Sequence, residues 1–249
     1  MKTLVIISHP EIETSMVQNF LKASAAPLEA ITWHHLDALE TLDVAAEQAL
    51  LRNHERIIFQ FPLYWYAAPA SLKMWLDTVL TGQFAFNGRQ PLAGKTLGVV
   101  VSTGTAAKHF QAGGSEQATL SEILRPYELV ARKLGMTYLP PLAIHQLGYW
   151  QETDKQCLVI DYQRYLTQSE FNFDQQLAWF EAMLTKKAAE ATSPEAQQRL
   201  MLLSEQFADK RSELTDLNWQ VQLIREEEGK ANGLVNRTNS TTKRTSHNV

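Results

Sequence analysis

Short, continuous apolar runs alternate along this chain with longer stretches whose apolar residues fall at helical spacing. Thr3 to Ser8 is apolar and β-branched, the pattern of a strand buried on both faces. Val17, Phe20 and Leu21 then predict a helix over Thr14 to Ala23. Ala30 to His34 reads as a second strand, and Val44 to Leu51 as a helix with Asp43 as its cap. Arg56 to Phe61 is a third strand, halted by Pro62. Pro69 opens an amphipathic helix that reaches Leu80. Thr96 to Ser102 is the fourth strand, and Leu120 to Leu134 a helix that stops at Gly135. Thr137 to His145 is a fifth strand, whose Pro140-Pro141 pair suits a sheet edge. Helices over Asp154 to Thr167 and Asp174 to Lys187 follow.

Strands alternating with helices predict an α/β fold: a five-stranded parallel sheet with helices on both faces. The expected strand order is the flavodoxin-like 2-1-3-4-5, over a domain of residues 1–190. After Ala191 the pattern changes. Leu200, Leu203, Phe207, Leu214, Leu217, Val221 and Ile224 recur in steps of three and four, interrupted at Lys210. This predicts a C-terminal heptad helix over 192–228, either packed on its own domain or paired with a partner chain as a coiled coil. Residues 229–249 carry Asn, Thr, Ser and basic residues without an acid, and a disordered tail is expected there.

Composition narrows the function classes. A net charge of −4 argues against a nucleic-acid partner. No run approaches the roughly 18 apolar residues of a membrane span, and Lys2 leads straight into the first strand rather than into a signal sequence. A cytoplasmic protein without membrane insertion is expected. Cys157 is the only cysteine, so no intrachain disulfide can form; it reads as a packed core thiol. No metal site is expected.

Three strand-to-helix loops are unusual. Ser8 to Ser15 precedes the first helix, whose N-terminal amides, with His9, Thr14 and Ser15, suit a terminal phosphate. It matches neither a P-loop nor the glycine-rich dinucleotide fingerprint, and Ser15 could equally be only an N-cap. Pro62-Leu63-Tyr64-Trp65-Tyr66 crowds three rings after the third strand. They form either a shelf for a flat ligand or core beneath the next helix. Ser102-Thr103-Gly104-Thr105-Ala106 lets a backbone approach a ligand closely, or is a plain turn. In the expected topology all three loops meet at one sheet edge, where such folds bind ligands. A phosphate site, an aromatic wall and a small-residue cradle together fit FMN or the matching half of FAD.

The chain resembles the NAD(P)H:quinone oxidoreductases of flavodoxin-like fold, which include DT-diaphorase and the ancillary proteins of glutathione-gated potassium efflux systems. The resemblance runs from about residue 1 to 190. It is carried by Ser8-His9-Pro10 with Ser15, and by Phe61-Pro62-Leu63-Tyr64-Trp65-Tyr66 with Pro69, Leu72-Lys73 and Trp75-Leu76-Asp77. Gly82 with Phe84-Ala85-Phe86, Leu92-Ala93-Gly94-Lys95, Ser102-Thr103-Gly104, and Pro140-Pro141 with His145 extend it. The resemblance implies that His9, Ser15 and the amides of Met16, Val17 and Gln18 hold the flavin phosphate. Pro62, Leu63, Tyr64 and Trp65 would line one edge of the ring, and Thr103, Gly104, Thr105 and Ala106 the other. Tyr66, His109 and Phe110 would line a substrate pocket at a homodimer interface, with Tyr66 and His109 as the candidate catalytic groups. DT-diaphorase-like members carry a Tyr and a His on the loop after the fourth strand. Here His109-Phe110 falls near the Tyr position and glycines occupy the His position, which argues against the same proton relay. His109 would then donate to a quinone oxygen or reduced flavin, or be a structural donor; His145 reads as a satisfied strand-end residue.

The implied activity is ping-pong transfer of hydride from NAD(P)H through flavin N5 to a quinone or similar acceptor. The implied cofactor is FMN, with FAD as the alternative, and either NADH or NADPH serves as co-substrate. The same resemblance offers a second reading: a flavoprotein regulatory or ancillary subunit of a potassium-efflux system, with the C-terminal helix contacting a protein partner.

Overall fold

The computed structural model describes residues 1–86 and 90–242, with side chains as far as 226. The chain divides into two compact units, Met1–Phe171 and the residues from Asn172 onward.

In the first unit the strands are β1 (Thr3–Ile7), β2 (Ile31–His35), β3 (Arg56–Pro62), β4 (Thr96–Thr103), β5 (Thr137–Tyr138) and β6 (Leu142–His145). All pair in parallel in the order β2-β1-β3-β4, with β5 and β6 both on the outer side of β4. The expected order 2-1-3-4-5 holds, with one correction: the fifth strand is two short strands. Pro140 and Pro141 lack the N–H that a continuous ladder needs, so pairing stops at Tyr138 and resumes at Leu142.

The helices are α1 (Met16–Ala25), α2 (Val44–Asn53), α3 (Ala70–Val79), the single turn α4 (Gly82–Ala85), α5 (Leu120–Lys133) and α6 (Glu152–Thr167). Alternation within the apolar strands feeds two cores. Leu4, Ile6, Phe59, Phe61, Val99 and Val101 pack with Leu51, Leu72, Trp75 and Leu124 of α2, α3 and α5. Val5, Ile7, Ile58, Val100 and Ile144 pack with Leu21 of α1 and Leu158, Tyr162 and Tyr165 of α6. Burial on both faces explains why these strands read as unbroken apolar runs. At Gly98 the sheet and α6 come so close that a Cβ would lie 2.6 Å from the Tyr165 hydroxyl, so only glycine fits. Cys157, expected in the core, is exposed on α6.

The second unit contains α7 (Phe173–Glu190) and α8 (Pro194–Thr242). They form a helical hairpin: Phe180 meets Phe207, and Arg211 pairs with Glu181. The break therefore falls after Phe171 rather than near residue 190, because α7 packs with α8. Leu200 and Phe207 of the heptad pattern are half-buried, whereas Leu203, Leu214, Leu217, Val221 and Ile224 are exposed. Helix α8 also continues past Gly229, where a disordered tail was expected, as far as Thr242. No proline occurs after Pro194 to force a stop, and each glycine costs only about 1 kcal/mol relative to alanine. Residues 243–249 of that expected tail lie outside the described residues. No helix among the described residues is long and apolar enough to cross a membrane.

Candidate functional site

The three unusual loops follow β1, β3 and β4 at the carboxyl edge of the sheet. In the first, Ser8 continues the sheet by donating its N–H to the Gln60 carbonyl (3.0 Å). His9 is 93% buried, from a relative exposure of 7%. Its peptide is held on both sides: the N–H donates to Asp37 Oδ2 (2.8 Å), and the carbonyl accepts from His35 Nε2 (2.9 Å). Its Nδ1 accepts the Glu11 N–H (3.1 Å). A neutral imidazole that accepts at Nδ1 carries its proton on Nε2, and burial together with the neighbouring His35 holds the His9 pKa below the usual histidine range. His9 thus presents an Nε2–H with no partner among the described residues.

Ser15 caps α1 by accepting the Gln18 N–H (3.3 Å). The amides of Met16 and Val17 at the head of α1 remain without intrahelical partners. The Gln18 amide is taken by the cap, and its side chain points inward, accepting from Gln60 Nε2 at 2.6 Å. The first loop therefore offers a neutral imidazole N–H, two free amides and a hydroxyl to an anion.

The second loop is a tight hairpin. Tyr64 and Ala67 exchange two backbone hydrogen bonds, N–H to carbonyl at 2.9 and 3.0 Å. Trp65 and Tyr66 occupy the two central positions, with φ of +49° and +63°. Such a turn prefers Asn-Gly; two bulky rings there are strained, and strain of this kind collects at functional sites. Trp65 is 92% exposed, so the aromatic residues are not core beneath the next helix. The amides of Leu63 and Tyr64 are used by Ser102 and Ala67, which leaves those of Trp65 and Tyr66 free among the described residues. Pro62 is buried and ends β3.

In the third loop Thr103 donates its hydroxyl to the Thr105 carbonyl (2.7 Å). The amides of Gly104, Thr105 and Ala106 have no partner among the described residues, and a Cβ on Gly104 would meet nothing within 4 Å. The backbone is open there, as a ligand's approach requires. Gln146 braces the loop from behind through its Nε2–H to the Gly104 carbonyl (3.1 Å). His109 bonds Ser115 Oγ through Nδ1 (2.7 Å), and its carbonyl accepts the Glu116 N–H. A Cβ on Gly114 would lie 2.3 Å from the His109 carbonyl oxygen, so this return of the loop requires glycine. Phe110 is buried, its ring tilted over His145. His145 bonds Thr103 Oγ1 through Nδ1 (2.8 Å), and burial lowers its pKa.

Two contacts join the loops. The rings of His9 and Tyr64 meet edge to face at 6.4 Å, linking the first to the second. Tyr66 donates its hydroxyl to Glu116 Oε2 (2.8 Å), linking the second to the third, and this bond raises the Tyr66 pKa. Sequence reasoning found the loops but missed Asp37, His35, Ser71, Glu116 and Gln146. Only His35-Leu36-Asp37, at the end of β2 and the turn that follows it at the same edge, could have given a signal. A groove of about 1130 Å³ lies between α3 and α5, lined by Leu76, Leu80, Phe86, Leu129 and Val130, and bordered by Lys133.

The fold has relatives among known proteins. The chain is 47% identical to an NADPH-quinone reductase of P. pentosaceus, whose crystal structure superposes with a TM-score of 0.66 over 68% of this chain and 100% of that one. General stress protein 14 of Treponema denticola, solved in complex with FMN, is 34% identical, with a TM-score of 0.60 over 67% and 98% of the two chains. The glutathione-regulated potassium-efflux system ancillary protein KefG of Cronobacter sakazakii is 41% identical over 60% of this chain and 81% of its own. The profile of the family described as flavodoxin-like fold matches residues 1–169, and the chain belongs to that family.

Proposed function

We propose that this chain is an FMN-dependent oxidoreductase that carries electrons from NAD(P)H to a quinone or similar small acceptor. One observation carries the reading: three joined loops at the sheet edge offer free donors at one end and an exposed, strained aromatic turn at the other. These residues fit FMN. Its phosphate would take the His9 Nε2–H, the amides of Met16 and Val17, and the Ser15 hydroxyl. Its ring would lie between Tyr64-Trp65 and the free amides of Gly104, Thr105 and Ala106. The FMN complex of the Treponema relative favours FMN over FAD.

The bound cofactor supplies hydride acceptance and donation; the protein supplies placement and hydrogen bonds. His9, with its proton fixed on Nε2, binds without having to change protonation state. Tyr66 and His109 orient the acceptor. The His109 Nδ1 is engaged by Ser115, so Nε2 is the atom that meets an acceptor oxygen. A homodimer belongs to the same reading, because the groove between α3 and α5 is an apolar surface that a second copy would cover.

The test is reconstitution. Wild-type protein should bind FMN, oxidise NADPH or NADH with menadione as acceptor, and give parallel lines in double-reciprocal plots. The double variant W65E/G104E should purify colourless. A wild-type protein without affinity for FMN would overturn the proposal. A second reading, an ancillary subunit of a potassium-efflux system, draws on the likeness to KefG and on the exposed Leu214, Leu217, Val221 and Ile224. It predicts that L217K/I224K leaves reductase activity intact while binding of such a transporter is lost.

A further inference from the structure

We propose that Asp37 is a positioning residue that clamps the phosphate end of the site and ties it to the helix beneath the aromatic turn. This inference rests on the flavin reading above. Asp37 lies in a single helical turn after β2, and no side chain caps that turn. Its carboxylate instead reaches across the sheet edge. Oδ2 accepts the His9 N–H from the end of β1 (2.8 Å) and the Ser71 hydroxyl from the first turn of α3 (2.9 Å). With the Ser71 proton committed to Asp37, the buried Ser8 donates to Ser71 Oγ (2.6 Å). His35 Nε2 sits 3.8 Å from the same carboxylate oxygen while donating to the His9 carbonyl.

One carboxylate thus ties its own turn to groups 28 positions before it and 34 positions after it. The two peptide groups that flank the His9 Cα are each fixed, the first by Asp37 on the His9 N–H and the second by His35 on the His9 carbonyl. A fixed peptide fixes the ring, with Nδ1 turned to the Glu11 amide and the Nε2–H outward. Through Ser71 the same group also sets the start of α3, which follows the Trp65-Tyr66 turn. A negative charge at a helix N-terminus is itself favourable. Asp37 need not touch the ligand: its N–H partner is the loop, so it acts on the phosphate through His9.

The test compares two flavins on the full-length apoprotein. Affinities for FMN and for riboflavin, which lacks the phosphate, are measured by quenching of flavin fluorescence in wild type, Asp37→Ala and Asp37→Asn. Asp37→Ala should weaken FMN about tenfold, the scale of losing a charged hydrogen-bond partner. Riboflavin binding should change by less than about twofold, because the Trp65-Tyr66 turn is closed by its own Tyr64–Ala67 hydrogen bonds and does not depend on the Ser71 contact. Asp37→Asn should recover most of the FMN affinity, since its amide oxygen can accept from His9 and Ser71. General loosening of the fold would weaken both flavins alike; that result, or no loss of FMN affinity at all, overturns the inference. Wild-type protein that binds riboflavin and FMN equally would overturn the phosphate assignment and the clamp together. Wild type that prefers FMN, with a variant that keeps the preference, would overturn the clamp alone.

Discussion

Arg56 is the buried residue whose environment is least expected. It is fully buried, and among the described residues its partners are a hydroxyl and carbonyls rather than a carboxylate. Its guanidinium donates to Thr96 Oγ1 (3.2 Å) and to the carbonyls of Tyr165 (2.7 Å), Gln168 (2.5 Å) and Ser169 (3.2 Å), and it lies over the Phe171 ring. These carbonyls are the unsatisfied end of α6, and Arg56 caps them from the neighbouring strand. Burial lowers its pKa to about 10. Arg56→Ala strands those carbonyls and should cost about 3 kcal/mol, read as a lower urea midpoint with unchanged slope. Trp65 predicts the opposite sign. It is exposed and held at φ +49°, a conformation that costs a non-glycine residue about 1–2 kcal/mol. Trp65→Gly should therefore raise stability by about 1 kcal/mol while FMN retention falls, a trade between strain and binding. Two histidines, His9 and the half-buried His145, set an acid limit. His9 and His145 have lowered pKa values, so between those and the ordinary value near 6.5 the unfolded chain binds more protons than the folded one. Unfolding free energy should then fall as pH drops below about 6.5, and His145→Gln should flatten part of that slope in urea titrations at stepped pH.

At the scale of elements, pattern carried most of the fold. β1, β3 and β4 are apolar runs because both faces are covered, and α3 and α5 announce themselves by Pro69 at the start of one and Gly135 at the end of the other. What pattern could not report was contact across elements. The Asp174–Lys187 segment looked like the last helix of the first domain, since a spacing rule does not say which neighbour a helix buries its face on. The heptad stripe, interrupted at Lys210, did not say what it faces: Phe207 meets Phe180 of α7, whereas Leu203, Leu214, Leu217, Val221 and Ile224 are exposed. Likewise, the three loops were legible as loops, whereas the carboxylate that ties the first of them to α3 was not, because Asp37 bonds groups 28 and 34 positions away. Glu47 is a parallel case. On the buried face of α2, it accepts from His34 Nε2 (2.9 Å) on β2 and from Trp75 Nε1 (2.8 Å) on α3. Its helix read simply as Ala and Leu at regular spacing. Glu47→Ala leaves two buried donors unpaired and should destabilise by about 2–4 kcal/mol, with Glu47→Gln costing less because one acceptor remains.

For the whole molecule, the groove between α3 and α5 is the surface that asks for a partner. Leu129 and Phe86 line it and are 48% and 43% exposed. Apolar surface of this kind on a soluble protein marks an interaction site, and a stable dimer needs about 800 Å² covered on each partner. The groove borders Ala67 and Ala68, the residues just after the aromatic turn, so a second copy seated there would lie beside Tyr66. Leu129→Glu puts a charge on the rim without touching the core or any of the three loops. If the copies meet there, sedimentation equilibrium should report a dimer for the wild type and a monomer for the variant. FMN content should be unchanged, because none of the phosphate or ring contacts involves α5. The KM for the quinone should rise if, as proposed, the acceptor sits beside Tyr66 and His109 with the second copy as its wall. A wild type that stays monomeric at tens of micromolar, or a monomeric variant with an unaltered KM, would place the acceptor pocket wholly within one chain.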